Sequence, residues 1–156
     1  MQPKSLTDSI SVAAQIDADD MVELAGRGFR SVINNRPDGE VDDQPASAEL
    51  AAVAAQHGLA YRYVPVASGQ LADADVDAFV QVLATLPPPV LAFCRTGTRS
   101  TMLWAFQASR SQSVEDVARI AAAAGYDLDA LRARLQVQHD RYTIRAESSD
   151  GTGRTV

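Results

Sequence analysis

Short apolar runs of strand length alternate in this chain with segments whose apolar residues recur at helical spacing. That alternation restricts the fold more than any other feature. Strand and helix in turn make an α/β sheet, where crossover helices return the chain so that strands lie parallel. A first strand is expected over residues 9–16. Asp17 and Asp19 then offer an N-cap to a helix with Met21, Val22, Leu24 and Ala25 inward, stopped by Gly26 and Gly28. Residues 29–34 (FRSVIN) read as a buried strand, and Arg36-Pro37-Asp38-Gly39 is turn chemistry. Ser47 is expected to cap an Ala-rich helix ending at Gly58, with a strand over residues 59–66 after it. The clearest helix covers residues 72–86, where Val76, Phe79, Val80, Leu83 and Leu86 share one face. Pro87, Pro88 and Pro89 end it, and Val90 to Phe93 form a compact apolar strand. Helices are expected over residues 100–109, 113–124 and 127–139.

The 156 residues are 46% hydrophobic and 22% charged, enough for one domain with a sizeable core over residues 1–145. Residues 146–156 are small and polar and are expected to form a mobile tail. With 14 Lys and Arg against 20 Asp and Glu, the net charge is −6, which repels phosphate backbones and argues against nucleic acid. No apolar run reaches the roughly 18–20 residues that span a bilayer, and the first ten residues lack the apolar centre of a signal peptide. A single cysteine, Cys94, forms no internal disulfide and fits a reducing cytoplasm. Two histidines and one cysteine far apart argue against a Cys/His zinc site, so neither metal nor cofactor is expected.

The informative segment is Phe93-Cys94-Arg95-Thr96-Gly97-Thr98-Arg99-Ser100, between the apolar strand and a helix. Such a junction turns backbone N–H groups and the positive end of a helix dipole into one concavity. A cysteine at its mouth is expected to ionise readily, because a thiolate is favoured in a positive field. Arg99 is placed to fork onto a bound oxyanion. Gly97 lets the loop curl without a Cβ clash. Thr98 or Ser100 is placed to donate a hydrogen bond to the thiolate. Cys94 and Arg99 are thus the catalytic candidates, with Arg95, Thr96, Gly97, Thr98 and Ser100 around the substrate. The bland alternative is a buried structural cysteine. A glycine and two arginines immediately behind Cys94 favour chemistry.

Cys-x-x-x-x-x-Arg at a strand-to-helix turn is the phosphate loop of protein tyrosine and dual-specificity phosphatases. The shorter Cys-x-x-x-x-Arg-Ser looks like the active-site loop of single-domain rhodanese sulfurtransferases. This chain has the shorter form, and Ser100 stands where a phosphatase carries its arginine. The stretches GFRSVINNRPDGE (28–40), YRYVPVASG (61–69) and PVLAFCRTGTRSTMLW (89–104) resemble the phosphatase-like domain of beta-lactamase hydrolase-like proteins, a small bacterial family. The resemblance implies a three-layer α/β/α fold of protein tyrosine phosphatase type. Its sheet would be mostly parallel, with four to five strands, and extra helices would follow at the C-terminus.

Two arguments bear on phosphate against sulfur. Tetrahedral phosphate with its leaving group needs a wider ring of amides than a persulfide sulfur, so the short Cys94–Arg99 ring favours sulfur. A phosphatase also protonates its leaving group, normally with an Asp. In dual-specificity phosphatases that Asp follows the strand matching residues 61–66, where this chain has Ala67 and Ser68. Asp73, Asp75 and Asp77 lie further on and read first as helix N-terminal charges. The leading expectation is therefore a sulfurtransferase that passes sulfur through a Cys94 persulfide. Thiosulfate or a persulfide would be the donor, and a small or protein thiol the acceptor. The alternative is a phosphatase acting on phosphate esters through a Cys94 phosphoenzyme. A third reading is a non-catalytic oxyanion or persulfide sensor.

Parallel strands present ligand-binding loops at their carboxyl ends. This expectation brings Asn34, Asn35, Arg36, Asp38 and Glu40 to the rim that carries Cys94. Arg36 is a candidate cation for an anionic substrate, against the simpler reading of a turn residue. His57 and His139 read as surface residues, and Trp104 and Phe106 as core.

Overall fold

Three prolines cannot continue a helix, so the helix before Pro87, Pro88 and Pro89 stops and the chain enters the strand Val90–Phe93 (β5), whose four residues are all buried. The computed structural model describes the backbone of residues 1–152 and the side chains of residues 1–145. Four further strands are β1 (Lys4–Ser5), β2 (Ile10–Ala13), β3 (Ser31–Asn34) and β4 (Ala60–Tyr63). They form one sheet in the order β1-β2-β5-β3-β4. β2, β5, β3 and β4 run parallel, and β1 is an antiparallel edge. The expected mostly parallel sheet is thus present. Its first strand is shorter than residues 9–16, and β1 was not foreseen because Lys4 and Ser5 are exposed and carry no apolar pattern.

The helices are α1 (Ala18–Gly26), α2 (Ser47–Gln56), α3 (Asp73–Thr85), α4 (Thr98–Ser109), α5 (Val114–Ala123) and α6 (Arg132–Thr152). Asp17 caps α1 as expected, its carboxylate accepting from the Asp20 amide at 2.8 Å while Asp20 reaches back to the Asp17 amide. Ser47 does not cap α2. The N-cap is Ala46, and the Ser47 hydroxyl lies 2.9 Å from the Tyr61 hydroxyl. Asp75 closes the α3 start by accepting from the Ala72 amide at 2.8 Å. Residues 127–131 are not the expected α-helix. Asp127 accepts from the Asp129 amide at 2.9 Å, and a 3-10 turn (Asp129–Leu131) precedes α6. α6 continues to Thr152 rather than ending near residue 139. Of the tail expected over residues 146–156, residues 153–156 lie outside the described residues.

The chain divides into two compact units, Met1–Leu103 and Trp104–Val156. In the first, alternate strand residues point to opposite faces. Ala13, Val32, Leu91 and Phe93 pack with Met21 and Leu24 of α1 and Leu50 and Ala54 of α2. Full burial of each large side chain there contributes about 1.5–3 kcal/mol. Val12, Ile33 and Ala92 on the other face are equally buried, so that face is covered too. In the second unit Trp104, Phe106, Val117, Ala121 and Leu135 are buried, which bears out the core reading of Trp104 and Phe106. His139, read as a surface residue, is half-buried. Its Nδ1 lies 3.0 Å from the Ser109 carbonyl and 2.9 Å from that of Gln112, at the end of α4. Among the described residues no helix is long and apolar enough to cross a membrane.

Candidate active site

The parallel order β2-β5-β3-β4 puts the loops after Ala13, Asn34, Tyr63 and Phe93 on one rim. Hydrogen bonds join these loops directly. The Asn35 amide donates to the Phe93 carbonyl at 2.8 Å, and the Gln15 amide to the Arg95 carbonyl at 3.3 Å. The Val64 and Val66 amides donate to the Asn34 and Asn35 carbonyls at 2.8 and 3.0 Å.

Cys94 directly follows β5 on this rim. The Gly97 amide donates to its sulfur at 3.1 Å. Gly97 reaches that position with φ near 90°, in the left-handed region that glycine enters without strain. Thr101 then fastens the loop by donating to the Gly97 carbonyl at 2.8 Å. α4 starts at Thr98, so its N-terminal amides and dipole face the same loop. Cys94 itself has no exposed surface, while Arg95, Thr96 and Thr98 are exposed. The sulfur therefore lies one layer below a solvent-facing loop.

Arg99 is held by a partner 59 residues earlier in the chain. Its Nη1 donates to Glu40 Oε2 at 2.7 Å and to the Val66 carbonyl at 2.9 Å, and its Nη2 donates to Glu40 Oε1 at 2.9 Å. A guanidinium has five N–H donors. Those three bonds use both protons of Nη1 and one of Nη2, which leaves the Nε–Nη2 edge. Arg99 is raised above the usual arginine range chiefly by its hydrogen bond to Glu40, with Cys94 adding to the effect by charge and hydrogen bond. The remaining edge of the fork is used by neither Glu40 nor Val66.

Glu40 is gripped from two sides. Arg36 Nε donates to Glu40 Oε1 at 2.8 Å, and Arg36 Nη1 donates to Gln15 Oε1 at 3.0 Å. The Arg99 hydrogen bond, with Arg36 behind it, lowers the Glu40 carboxyl from 4.5 to about 2. The loop carrying Glu40 is itself buttressed. Tyr63 accepts from the Asp38 amide at 2.8 Å, and Asp38 accepts from the Ser47 amide at 2.8 Å. Half-buried Tyr61 accepts from Asn34 Nδ2 at 3.0 Å, and its desolvation raises its hydroxyl above the usual range.

The structure therefore brings Cys94, Arg99, Gly97, Arg36, Asn35 and Glu40 together. Arg36 is 4% exposed and acts on Glu40 and Gln15 rather than projecting to solvent. Ser100 is fully buried, and its one hydroxyl proton goes to Asn35 Oδ1 at 2.8 Å, not to the sulfur. The Thr98 hydroxyl lies 3.0 Å from that of Thr96. The sequence placed Glu40 on the rim but gave it no role. Gln15 and the Val66 carbonyl were missed, since nothing local marks them. An open cavity of about 600 Å³ in the second unit, lined in part by Glu115, Arg119, Tyr126 and Arg132, contains none of these residues.

The family profile described as beta-lactamase hydrolase-like protein, phosphatase-like domain, matches residues 3–111. The chain belongs to this family. A beta-lactamase hydrolase-like protein of Xylella fastidiosa is 35% identical over 130 residues, 82% of this chain and 30% of the relative. The chain thus spans less than a third of that relative's length. A crystal structure of a candidate phosphatase (nma1982) from Neisseria meningitidis has a TM-score of 0.77 at 33% identity, covering 86% of this chain and 96% of the other. The crystal structure of PTPMT1 has a TM-score of 0.71 at 16% identity, covering 94% and 99%, which is a likeness of fold alone. The expected family and phosphatase-like α/β fold are thereby established. The likenesses back the phosphatase alternative and give the sulfurtransferase expectation no support.

Proposed function

We propose that this domain is a cysteine-dependent phosphatase acting on a small anionic phosphate compound. The observation that carries the reading is the orientation of Arg99. With one edge of its guanidinium locked to Glu40 and Val66, the Nε–Nη2 edge is left for the equatorial oxygens of a phosphoryl group on Cys94, five residues earlier. In this reading Cys94, as the thiolate, attacks phosphorus. Arg99, the Gly97 amide and the N-terminus of α4 stabilise the charge that develops on the phosphoryl oxygens. Water then releases phosphate from the phosphocysteine. Glu40 and Arg36 touch no reacting atom, and they fix Arg99 before substrate arrives.

The exposed Arg95, Thr96 and Thr98 form the outer wall that meets substrate in this proposal, and Ser100 braces the loop from behind through Asn35. Phosphate release from p-nitrophenyl phosphate is the test. Turnover that disappears in Cys94→Ser supports the proposal. Turnover that survives this substitution, or a thiosulfate-derived sulfur on Cys94 with no phosphate release, contradicts it.

A further inference from the structure

Half-buried Gln15, in the loop after β2, touches two separate parts of the cradle. Its backbone amide donates to the Arg95 carbonyl at 3.3 Å, and two residues before it the Ala13 carbonyl accepts from the Cys94 amide at 3.4 Å. Its side chain meets the other part. Gln15 Oε1 accepts from Arg36 Nη1 at 3.0 Å, while Nε2 donates to the Ile16 carbonyl at 2.9 Å. The side-chain amide is thus held in one orientation, with its oxygen toward the arginine. Glutamate at this position would be the stronger partner for a guanidinium, because charge-assisted hydrogen bonds exceed neutral ones. The cluster behind Arg36 shows what a neutral oxygen preserves. Arg36 and Arg99 share a single carboxylate, Glu40. Two cations and one anion leave one positive charge. The Arg36 and Arg99 side chains are 5% and 10% exposed, so water and salt screen that charge little.

We infer that Gln15 is a specificity residue: it satisfies Arg36 through a neutral oxygen, so that the Arg36–Glu40–Arg99 cluster keeps one positive charge for an anion arriving at Cys94. This role rests on the reading above that Cys94 meets an anionic compound, and it is indifferent to which bond of that compound breaks. Gln15 touches no reacting atom. It acts by fixing the Arg36 guanidinium and by adding no charge of its own. A carboxylate in its place would bond Arg36 at least as well and would bring the cluster to zero charge, removing the field that draws an anion into the loop.

The experiment alkylates the unsubstituted protein, Gln15→Glu and Gln15→Met with anionic iodoacetate and with neutral iodoacetamide, at low salt and about pH 8, and follows Cys94 by intact mass. The ratio of the two rate constants cancels any change in how far the thiol is ionised. Gln15→Glu keeps an acceptor for Arg36 and cancels the surplus charge, so its iodoacetate-to-iodoacetamide ratio is expected to fall about three- to tenfold. Gln15→Met loses the acceptor and keeps the charge, so its ratio is expected to stay within about twofold of the unsubstituted protein. A role in packing alone gives the opposite order, since methionine leaves Arg36 Nη1 without its partner and glutamate does not. An unchanged ratio in Gln15→Glu, or a ratio lost in Gln15→Met, overturns the role; if Gln15→Glu does not fold, the Gln15→Met ratio decides. Should Cys94 resist both reagents, the affinity for inorganic sulfate, measured by calorimetry on the same three proteins, is expected to follow the same order. A protein that shows no preference for the anion even with Gln15 in place removes the anionic-substrate reading itself, and the role with it.

Discussion

Arg99 and Glu40 form a two-pronged ion pair, with N···O distances of 2.7 and 2.9 Å, that joins the loop after β3 to the first turn of α4. The pair fixes which edge of the guanidinium is available to an oxyanion. Glu40→Gln keeps the shape and removes the charge. It is expected to lower kcat by about 10–100-fold with a smaller change in KM, because orientation matters most where charge develops. Arg36→Lys, which loses the Nε contact to Glu40, is expected to produce a weaker form of the same split. Steady-state kinetics on the two variants check this, and equal loss in KM alone would speak against positioning.

The same pair governs acid stability. The Glu40 carboxyl is lowered from 4.5 to about 2, so the folded state binds its proton less readily than the unfolded chain. Its contribution is complete above about 4.5 and is lost as pH falls toward about 2. Denaturant titrations of wild type and Glu40→Gln should therefore differ most at neutral pH and converge through that acid window.

Asn35 connects three elements, its Nδ2 donating to the Val64 carbonyl at 2.9 Å and its Oδ1 accepting from Ser100 at 2.8 Å. Asn35→Ala orphans both buried partners. Each is expected to cost about 1–3 kcal/mol of stability, measurable by urea unfolding. Ser100→Ala removes one bond and should cost less.

Gly97 holds φ near 90°. Gly97→Ala places a Cβ in the left-handed region, expected to cost about 1–2 kcal/mol and to weaken the amide contact to Cys94. Thermal unfolding gives the stability term, and the rate of Cys94 alkylation reports the loop.

The cradle also predicts how Cys94 reacts. Iodoacetate, an anion, should alkylate it faster than neutral iodoacetamide, reversing the order seen for a free thiol, and Arg99→Ala should erase the preference. A faster neutral reagent would mean the loop does not collect anions.

Much of this was legible in the chain, and the boundary has physical causes. β5 and the cradle were readable because three prolines, four apolar residues and a glycine-bearing loop are local signals. Asp17 was readable as a cap because its carboxylate bonds an amide three residues on. Ser47 was misassigned because a tertiary partner, Tyr61, engages its hydroxyl. Glu40 had no visible role because its arginine lies 59 residues away. His139 was read as exposed because the carbonyls it meets lie 27 and 30 residues earlier. The short Cys94–Arg99 spacing pointed to sulfur, yet the folded loop still offers an amide to the sulfur, and the family is phosphatase-like.

The proposed function requires Cys94 to be a phosphoryl acceptor. Rapid acid quench of the protein with acetyl phosphate, followed by peptide mass mapping, tests it most directly. One phosphoryl group is expected on the peptide bearing Cys94 during turnover, absent in Cys94→Ser. Turnover with an unmodified Cys94, or a phosphoryl group elsewhere in the chain, would contradict it.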